Sequence, residues 1–235
     1  MASAIWRGSL APAREGAEVK TLAQARADFL RRPSAYVIGA GILAAAGLRV
    51  ALGDFSWRDG VAVVAMLAVY PFAEWAIHVY VLHMKPFRFR GREVEASPAR
   101  NHREHHGEPN RLNMLLLGPV ELAQLMLGST PLVIATGAGL VALVSGWPPL
   151  GPPLSAAVAG YACILLYEWI HYLIHTAYVP RSRFYRAVWR NHRLHHFKNE
   201  HYWHGITNNL SDTLLGTNPD QRTVPRSQTA RTLIP

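Results

Sequence analysis

The sequence contains one cysteine, Cys163, among 235 residues, and this residue lies inside an apolar run. A disulfide framework or a cysteine-based metal site needs several thiols, so the sequence excludes both. Charged residues make up only 17% of the chain, and acidic ones are the scarcer kind, which leaves a formal net charge of +9. The basic residues form no zinc-finger, homeodomain or basic-zipper pattern, so we expect no nucleic-acid partner.

Histidine is absent from 1–77, 107–170 and 205–235, so all 12 histidines fall within 78–106 and 171–204. Histidines that served only as solvated or core residues would be spread more evenly along the chain. The two windows are therefore the candidate functional regions.

Long apolar runs separate these windows from the rest of the chain. Four of them are candidate membrane spans: 35–52, 61–84, 125–146 and 154–175. A helix needs about 20 largely apolar residues to cross a bilayer, so we predict an all-α integral membrane bundle of four transmembrane helices. We interpret 112–124 as an interfacial or re-entrant helix. The alternative is that 112–147 forms two short spans, because Gly128-Ser129-Thr130-Pro131 interrupts it.

Basic residues give the expected orientation. Three segments are rich in Lys and Arg: 1–33, 85–111 and 176–204. The short connections 53–60 and 147–153 contain almost none. Loops rich in Lys and Arg stay on the cytoplasmic side, so the N-terminus, the 85–111 loop and the chain beyond His175 are predicted to face the cytoplasm.

The same features predict three regions of the chain. Residues 1–34 form a cytosolic N-terminal arm, 35–217 the membrane-embedded domain, and 218–235 an irregular C-terminal tail. Within the arm, 19–32 has the pattern of a short amphipathic helix, which lies either on the membrane surface or in solvent.

The two histidine windows resemble each other. Each has Glu-Trp before a first histidine, a second histidine about one helical turn later, and then Arg-Asn-His-Arg-x-His-His. The ten motif histidines are His78, His83, His102, His105, His106, His171, His175, His192, His195 and His196. Residues four apart share a helix face, as His171 and His175 do. His78 and His83 are five apart and converge only if the helix ends or widens near Met84.

Ten imidazoles exceed the ligand set of one ion, so the pattern predicts two ions with about five ligands each. Imidazole suits Zn, Cu, Fe and Ni, which leaves the metal open. The motifs lie at the ends of predicted spans, which favours redox chemistry on a lipid. Glu74 and Glu168 precede His78 and His171 by about one turn. Each can either accept the second ring N–H of that histidine or serve as a capping or water-bridged carboxylate.

These motifs, with the trailing Tyr202-Trp203-His204-Gly205-Ile206-Thr207 and Asp212-Thr213-Leu214-Leu215-Gly216-Thr217, resemble the membrane fatty acid hydroxylase/sterol desaturase superfamily over roughly 70–217. The resemblance implies four transmembrane helices under a cytosolic histidine-rich cap. It also implies O2-dependent hydroxylation or desaturation of a lipid at a non-haem di-iron centre, with zinc as a possible substitute. The ten motif histidines would be the metal ligands. His201, His204 and Asp212 fall outside that pattern and would contact ligands or substrate, or serve the fold.

The implied substrate is a membrane lipid of fatty-acyl, sphingolipid or sterol type. Electrons have to come from an external donor of ferredoxin or cytochrome type, because the chain has no dinucleotide fingerprint and no fused haem domain. Three alternatives stay open at this point: a carotenoid hydroxylase, a membrane metal transporter or metal-binding protein, and a bis-histidine cytochrome. The His171–His175 spacing is narrower than carotenoid hydroxylases usually have. Transporters hold ions near the bilayer midplane, whereas these clusters lie beyond the helix ends.

Overall fold

A computed structural model describes residues 15–113, 115 and 119–234. Over that part the chain is mostly helical. The α-helices are α1 Leu22–Phe29, α2 Pro33–Leu52, α3 Trp57–Ile77, α4 Ser97–Gly107, α5 Pro119–Ser145, α6 Gly151–Ile174, α7 Arg183–Phe197 and α8 Leu210–Leu214. A 3-10 helix covers Gly16–Glu18, a π-helix covers His78–Leu82, and the strands β1 Phe87–Phe89 and β2 Arg92–Val94 form an antiparallel hairpin.

The chain divides into two compact units. Among the described residues, the first unit comprises 28–70 and 119–169, and the second comprises 15–27, 71–115 and 170–234. All 12 histidines belong to the second unit. The first consists mainly of the apolar helices.

Among the described residues, four helices are long and apolar enough to cross a membrane, as predicted: Pro33–Leu52, Trp57–Leu82, Met126–Ser145 and Gly151–Ile174. The predicted break between 112–124 and 125–146 is wrong from Pro119 onward, because α5 is one continuous helix through Pro131. In an apolar surrounding, leaving the helix would strand backbone polar groups without partners, so one missing donor at a proline is the smaller cost. The rest of 112–118 lies largely outside the described residues.

Apolar packing holds the first unit together. Ile38 of α2, Leu122 and Met126 of α5 and Tyr161 of α6 form one buried cluster. A second cluster joins α3, α5 and α6. Small residues let α5 and α6 approach closely, since a Cβ on Gly137 would lie 2.6 Å from the Cβ of Ala156.

A buried polar contact joins three of these helices. The Arg49 Nε donates to Asp59 Oδ1 at 2.7 Å, and the Ser155 hydroxyl donates to the same oxygen at 2.6 Å. Arg49 is only 3% exposed, so it is paired inside the unit and does not extend to the interface. Its charge is tolerated there because the carboxylate of Asp59 compensates it.

The described part of the N-terminal arm, 15–34, contains a capped helix. Thr21 and Gln24 form a reciprocal cap: the Gln24 N–H donates to Thr21 Oγ1 at 3.2 Å, and the Thr21 N–H donates to Gln24 Oε1 at 3.1 Å. This pairing satisfies free backbone donors at the start of α1 and explains why the helix begins there.

Candidate metal centre

The ten motif histidines come together in two groups of five. Within each group, one ligand atom per residue lies within 4.8 Å of all the others. The first group, which we call group 1, consists of His78, His83, His102, His106 and His195. The second, group 2, consists of His105, His171, His175, His192 and His196. Nine of the ten side chains are buried, and His83 is partly buried.

Each group takes four histidines from one window and one from the other. His105, on α4, joins the histidines of the second window, and His195, on α7, joins those of the first. In both His-x-x-His-His motifs the outer pair is four apart and shares a face, while the middle histidine is only three residues after the first. The middle histidine is therefore turned toward the opposite group.

The His78–His83 pair meets through a widened helix. The π-helix His78–Leu82 follows α3 directly, and the His83 N–H donates to the carbonyl of His78 at 3.2 Å. A hydrogen bond between residues five apart is the mark of a π-turn, which often occurs at functional sites. Of the two possibilities that the sequence left open, a helix that ends or one that widens, the structure shows a widened last turn.

The ring nitrogens are arranged as ligands of an ion would be. His102 Nε2 lies 3.1 Å from His78 Nε2, 3.2 Å from His83 Nε2 and 3.2 Å from His106 Nε2. One ring nitrogen offers a single proton or a single lone pair, so hydrogen bonds cannot account for three such neighbours. Two imidazoles bound at right angles, about 2.1 Å from one ion, would have nitrogens about 3.0 Å apart.

Group 2 shows the same convergence. His192 Nε2 lies 3.2 Å from His175 Nε2 and 3.0 Å from His196 Nε2. Both ring nitrogens of His105 are buried without a hydrogen-bond partner among the described residues. A buried imidazole with no partner is costly unless it binds something, so both groups fit a metal ion.

Burial and crowding keep these imidazoles neutral. Burial lowers the pKa of His83 to about 2 and that of His106 to about 4. Burial, followed by repulsion from the neighbouring histidines, holds the pKa of His102, His192 and His196 well below 6.5. Neutral imidazole is the form that binds metal, so the protein keeps these side chains ready to act as ligands.

Backbone carbonyls orient several rings of group 1. The His78 Nδ1 donates to the carbonyl of His204 at 2.6 Å, and the His195 Nδ1 donates to the carbonyl of Tyr202 at 2.8 Å. These bonds place the proton on Nδ1 and leave Nε2 free as the ligand atom.

Of the two roles that the sequence left open for Glu74, the structure shows that of a carboxylate capping backbone N–H groups. The second ring nitrogen of His78 is taken by the His204 carbonyl, so the predicted bond from His78 to Glu74 is replaced. The Glu74 carboxylate instead accepts from the backbone N–H of Ile206 at 2.6 Å and of Thr207 at 3.0 Å. It therefore anchors the segment that supplies the carbonyl. The corresponding bond between Glu168 and His171 stays a prediction.

Asp212 anchors the same segment from its other side. Its carboxylate accepts from the backbone N–H of His204 at 3.0 Å and of Gly205 at 2.6 Å. Gly205 has no room for a side chain, because a Cβ would lie 2.0 Å from the carbonyl oxygen of Asn208. Glu74 and Asp212 together fix the 204–207 segment beside group 1.

The two additional histidines differ in their surroundings. The His204 ring is buried, with its centroid 5.2 Å from that of His195 and 5.4 Å from that of His78, but it is not one of the five in group 1. The His201 side chain is 69% exposed, with Nε2 3.5 Å from Glu200. His204 therefore borders the site, whereas His201 lies at the surface.

Two terminal segments contact the groups in ways that the sequence did not reveal. The Ala230 carbonyl accepts from His106 Nδ1 at 2.8 Å, and the Arg231 Nε donates to the carbonyl of His106 at 2.7 Å. The Gly16 N–H donates to the carbonyl of Asn110 at 2.8 Å, and a Cβ on Gly16 would lie 2.0 Å from the carbonyl oxygen of His175. Every residue carries a backbone carbonyl, so no side-chain pattern could have revealed these contacts.

In the part of the chain that the structure describes, four membrane-length helices and two largely buried five-histidine groups define a multi-histidine integral membrane protein. The chain belongs to the fatty acid hydroxylase family, whose sequence model, described as "Fatty acid hydroxylase", matches residues 63–217. Members of this family are oxidoreductases that act on membrane lipids.

Two known proteins are similar to the chain. One is the dihydroceramide fatty acyl 2-hydroxylase FAH2 of Arabidopsis thaliana, 25% identical over 160 residues. That alignment covers 66% of this chain and 62% of the relative, so the chain matches somewhat less than two thirds of the relative's length. The other is the structure of full-length Scs7p, in which only the hydroxylase domain is visible. It aligns with a TM-score of 0.61 at 19% identity and covers 80% of this chain and 65% of that one, which supports the fold.

Proposed function

We propose that the protein is an O2-dependent lipid hydroxylase that holds two iron ions, one in each five-histidine group. The observation that carries this proposal is the convergence of ten neutral imidazoles, nine of them buried, into two sets of five. The five imidazoles of each group would hold one ion, and membership of the fatty acid hydroxylase family supports iron over zinc. Zinc would fit the same nitrogens and is expected as a substitute during overexpression.

The overall reaction consumes a lipid C–H bond, O2, two electrons and two protons, and yields an alcohol and one water. When bound, the iron pair would supply the activation of O2 that an imidazole cannot. The chain's own part is to hold the ligand atoms in place, fix the ring tautomers through carbonyls such as that of His204, and exclude water by burial. The electrons have to arrive from an external ferredoxin or cytochrome type of donor.

We propose a fatty-acyl chain as the substrate, of the sphingolipid type that the name of the Arabidopsis thaliana relative indicates. A sterol-type substrate is the second choice. Hydroxylation is favoured over desaturation because both the family description and the relative's name specify a hydroxylase. The carotenoid hydroxylase and metal transporter alternatives have no comparable support.

We also propose the topology. Lys and Arg are concentrated in 1–33, 85–111 and 176–204, so the positive-inside tendency supports a histidine-rich cap on the cytoplasmic side. In this proposal residues 1–34 are an N-terminal arm, 35–217 the catalytic membrane domain and 218–235 a tail. A cytoplasmic site would be open to a soluble or membrane-bound electron donor with an acidic face.

The first test is the metal content of gently extracted protein from iron-supplemented cells, followed by lipid analysis under 18O2. We expect about two irons per chain, no haem absorption band, and 18O in a hydroxylated acyl lipid. His195→Ala should lose one of the two irons and all product, whereas His201→Ala, at the exposed histidine, should keep both irons and the product. One metal or none in folded wild-type protein would overturn the two-iron proposal. Two metals without any oxygenated lipid would overturn the proposed activity.

A further inference from the structure

The hairpin between His83 and α4 exposes an unusual amount of apolar surface. Phe87, Phe89 and Val94 are 47%, 58% and 37% exposed. All six residues of β1 and β2 are exposed, so neither side of the hairpin is packed inside the second unit. A two-stranded hairpin is marginally stable in water, which suggests that something else covers it.

The strand register places the apolar side chains together. Phe87 pairs with Val94 and Phe89 pairs with Arg92, whereas Arg88 pairs with Glu93. Successive side chains alternate between the two sides of a strand, and directly paired residues share a side. One side of the hairpin therefore carries two phenylalanines, a valine and an arginine, and the other carries the Arg88–Glu93 pair.

The tip and base of the hairpin are well defined. Arg90 and Gly91 both have positive φ, 49° and 76°, as a two-residue hairpin turn of the primed type requires. At the base, Glu95 forms an ion pair with Arg103 of α4. The hairpin is therefore a fixed projection from the ligand-bearing part of the second unit.

Charge and chain length both point to a membrane surface. Residues 85–95 contain four cations, Lys85, Arg88, Arg90 and Arg92, and two acids, Glu93 and Glu95. The membrane-length helix Trp57–Leu82 ends five residues before Phe87, and five extended residues span at most about 18 Å. Exposed apolar side chains such as Phe beside Lys and Arg are typical of segments that lie at the membrane interface, and anionic lipids attract basic segments there.

We propose that the hairpin 87–94 is a membrane-binding element whose Phe87/Phe89/Val94 side lies in the headgroup region of a leaflet containing anionic lipid. The proposal rests on the membrane location put forward above, but not on the metal centre or on turnover. Membrane binding of the hairpin would hold in place the segment that joins two ligand-bearing elements of group 1, the π-helix and α4.

The experiment uses adjacent residues on opposite sides of β2. In a Cys163→Ser background, Val94→Cys and Glu93→Cys are each labelled with an environment-sensitive fluorophore. The full chain is then reconstituted singly into nanodiscs of phosphatidylcholine, with or without phosphatidylserine. Quenching by lipids with a shallow nitroxide should be several-fold stronger at position 94 than at position 93. It should also be stronger when phosphatidylserine is present.

Two further variants test the cause. Adding Phe87→Ser and Phe89→Ser should remove most of the quenching at position 94, whereas adding Glu108→Gln, at an exposed site outside the hairpin, should not change it. Equal quenching at 93 and 94, or none at either, would overturn the proposal. Quenching that ignores phosphatidylserine would overturn its anionic-lipid part.

If the label at position 94 were shielded from water only in discs that contain two copies of the chain, the membrane-binding proposal would be wrong. Pairing of the hairpin strands between copies would explain the exposed apolar side instead. A protein that shows the expected quenching at position 94 but makes no hydroxylated lipid would count against the proposed hydroxylase activity. The membrane-binding proposal for the hairpin would still stand.

Discussion

The two five-histidine groups contain the same ligand type in the same number but are supported differently. In group 1, the first two histidines are five apart and meet through a π-turn, whereas in group 2 they are four apart at the end of α6. The rings of group 1 donate to carbonyls of the 202–204 segment and of Ala230. In group 2, the His175 ring donates to the carbonyl of Pro109.

Each group therefore depends on a different end of the chain. Residues 229–232 contact group 1 directly through Ala230 and Arg231. Gly16 packs against His175 and holds the loop that contains Pro109, through the hydrogen bond to Asn110. Both terminal segments lie outside the family match at 63–217. Changes to these supports should affect one group more than the other.

The largest effects are expected from the two histidines that cross between the groups. His195→Ala should weaken metal binding in group 1 and His105→Ala in group 2, because each removes one of five ligands. The loss should exceed the about 10–100-fold typical of supporting groups, and turnover should disappear. Metal per chain after mild chelation is the measurement, and each single variant should keep about one ion.

The double variant His105→Ala/His195→Ala should keep none. If both single variants lost the same ion, or if the double variant kept one, the crossover between the groups would be wrong. His201→Ala provides the matched histidine control.

The second largest effect is expected from removing the C-terminal segment, which should weaken metal binding in group 1 and leave group 2 unchanged. A chain ending at Pro225 lacks the Ala230 carbonyl and the Arg231 side chain, both of which contact His106. It should bind the group 1 ion about 10–100-fold more weakly, because the His106 ring loses its orienting partner. Chelator titration should show one ion released early and the other unchanged.

Arg222→Ala, at an exposed residue paired with Asp220 in the same tail, is the control and should release neither ion early. Simultaneous weakening of both ions in the truncated chain would show that the tail serves the whole unit and has no preference for group 1.

The third effect is expected from a substitution at Gly16, which should weaken metal binding in group 2 more than in group 1. Gly16→Val adds a Cβ that would lie 2.0 Å from the carbonyl oxygen of His175, so the backbone at one of these two residues has to shift. We expect the group 2 ion to bind about tenfold more weakly, at the low end for supporting groups, since no ligand is removed. Chelator titration, followed by competition with a second metal, measures the affinity of group 2 for its ion.

Gly39→Val is the matched control, because a Cβ at Gly39 meets nothing within 4 Å. Unchanged binding in Gly16→Val would mean that the N-terminal segment can move away without disturbing His175.

The smallest effect is expected at Glu74. Glu74→Gln keeps the size of the side chain, and its amide oxygen can still accept from the N–H groups of Ile206 and Thr207, which share Oε1. The substitution removes the negative charge and puts an amide N–H₂ in place of Oε2, which accepts from the Thr207 hydroxyl. The 204–207 segment should loosen, and the group 1 ion should bind a fewfold to tenfold more weakly. Glu93→Gln, on the exposed hairpin, is the control and should bind metal as the wild type does. A larger loss at group 2 than at group 1 would contradict the role assigned to Glu74.

Several features of the fold follow from the sequence because they are local. Apolar runs of about 20 residues predicted four membrane-length helices, and the five-residue spacing of His78 and His83 required the helix either to end or to widen there. The break predicted between 124 and 125 was wrong, and so was the alternative break near Pro131. A local proline signal is weaker than the cost of leaving backbone groups unpaired in an apolar surrounding. The sequence left two roles open for Glu74 and could not choose between them, because the competing acceptor, the His204 carbonyl, lies 126 residues from His78 in the chain.

The sequence by itself determined which residues are candidates for the metal centre and which segments are apolar enough for a membrane, because spacing and composition are properties of short stretches. Only the tertiary structure decided that His105 and His195 each join the group formed mainly by the other histidine window. It also decided that Gly16, Pro109 and Ala230 support the rings. Those assignments depend on distances between segments far apart in sequence and on backbone carbonyls, which every residue has and which therefore leave no mark in the sequence.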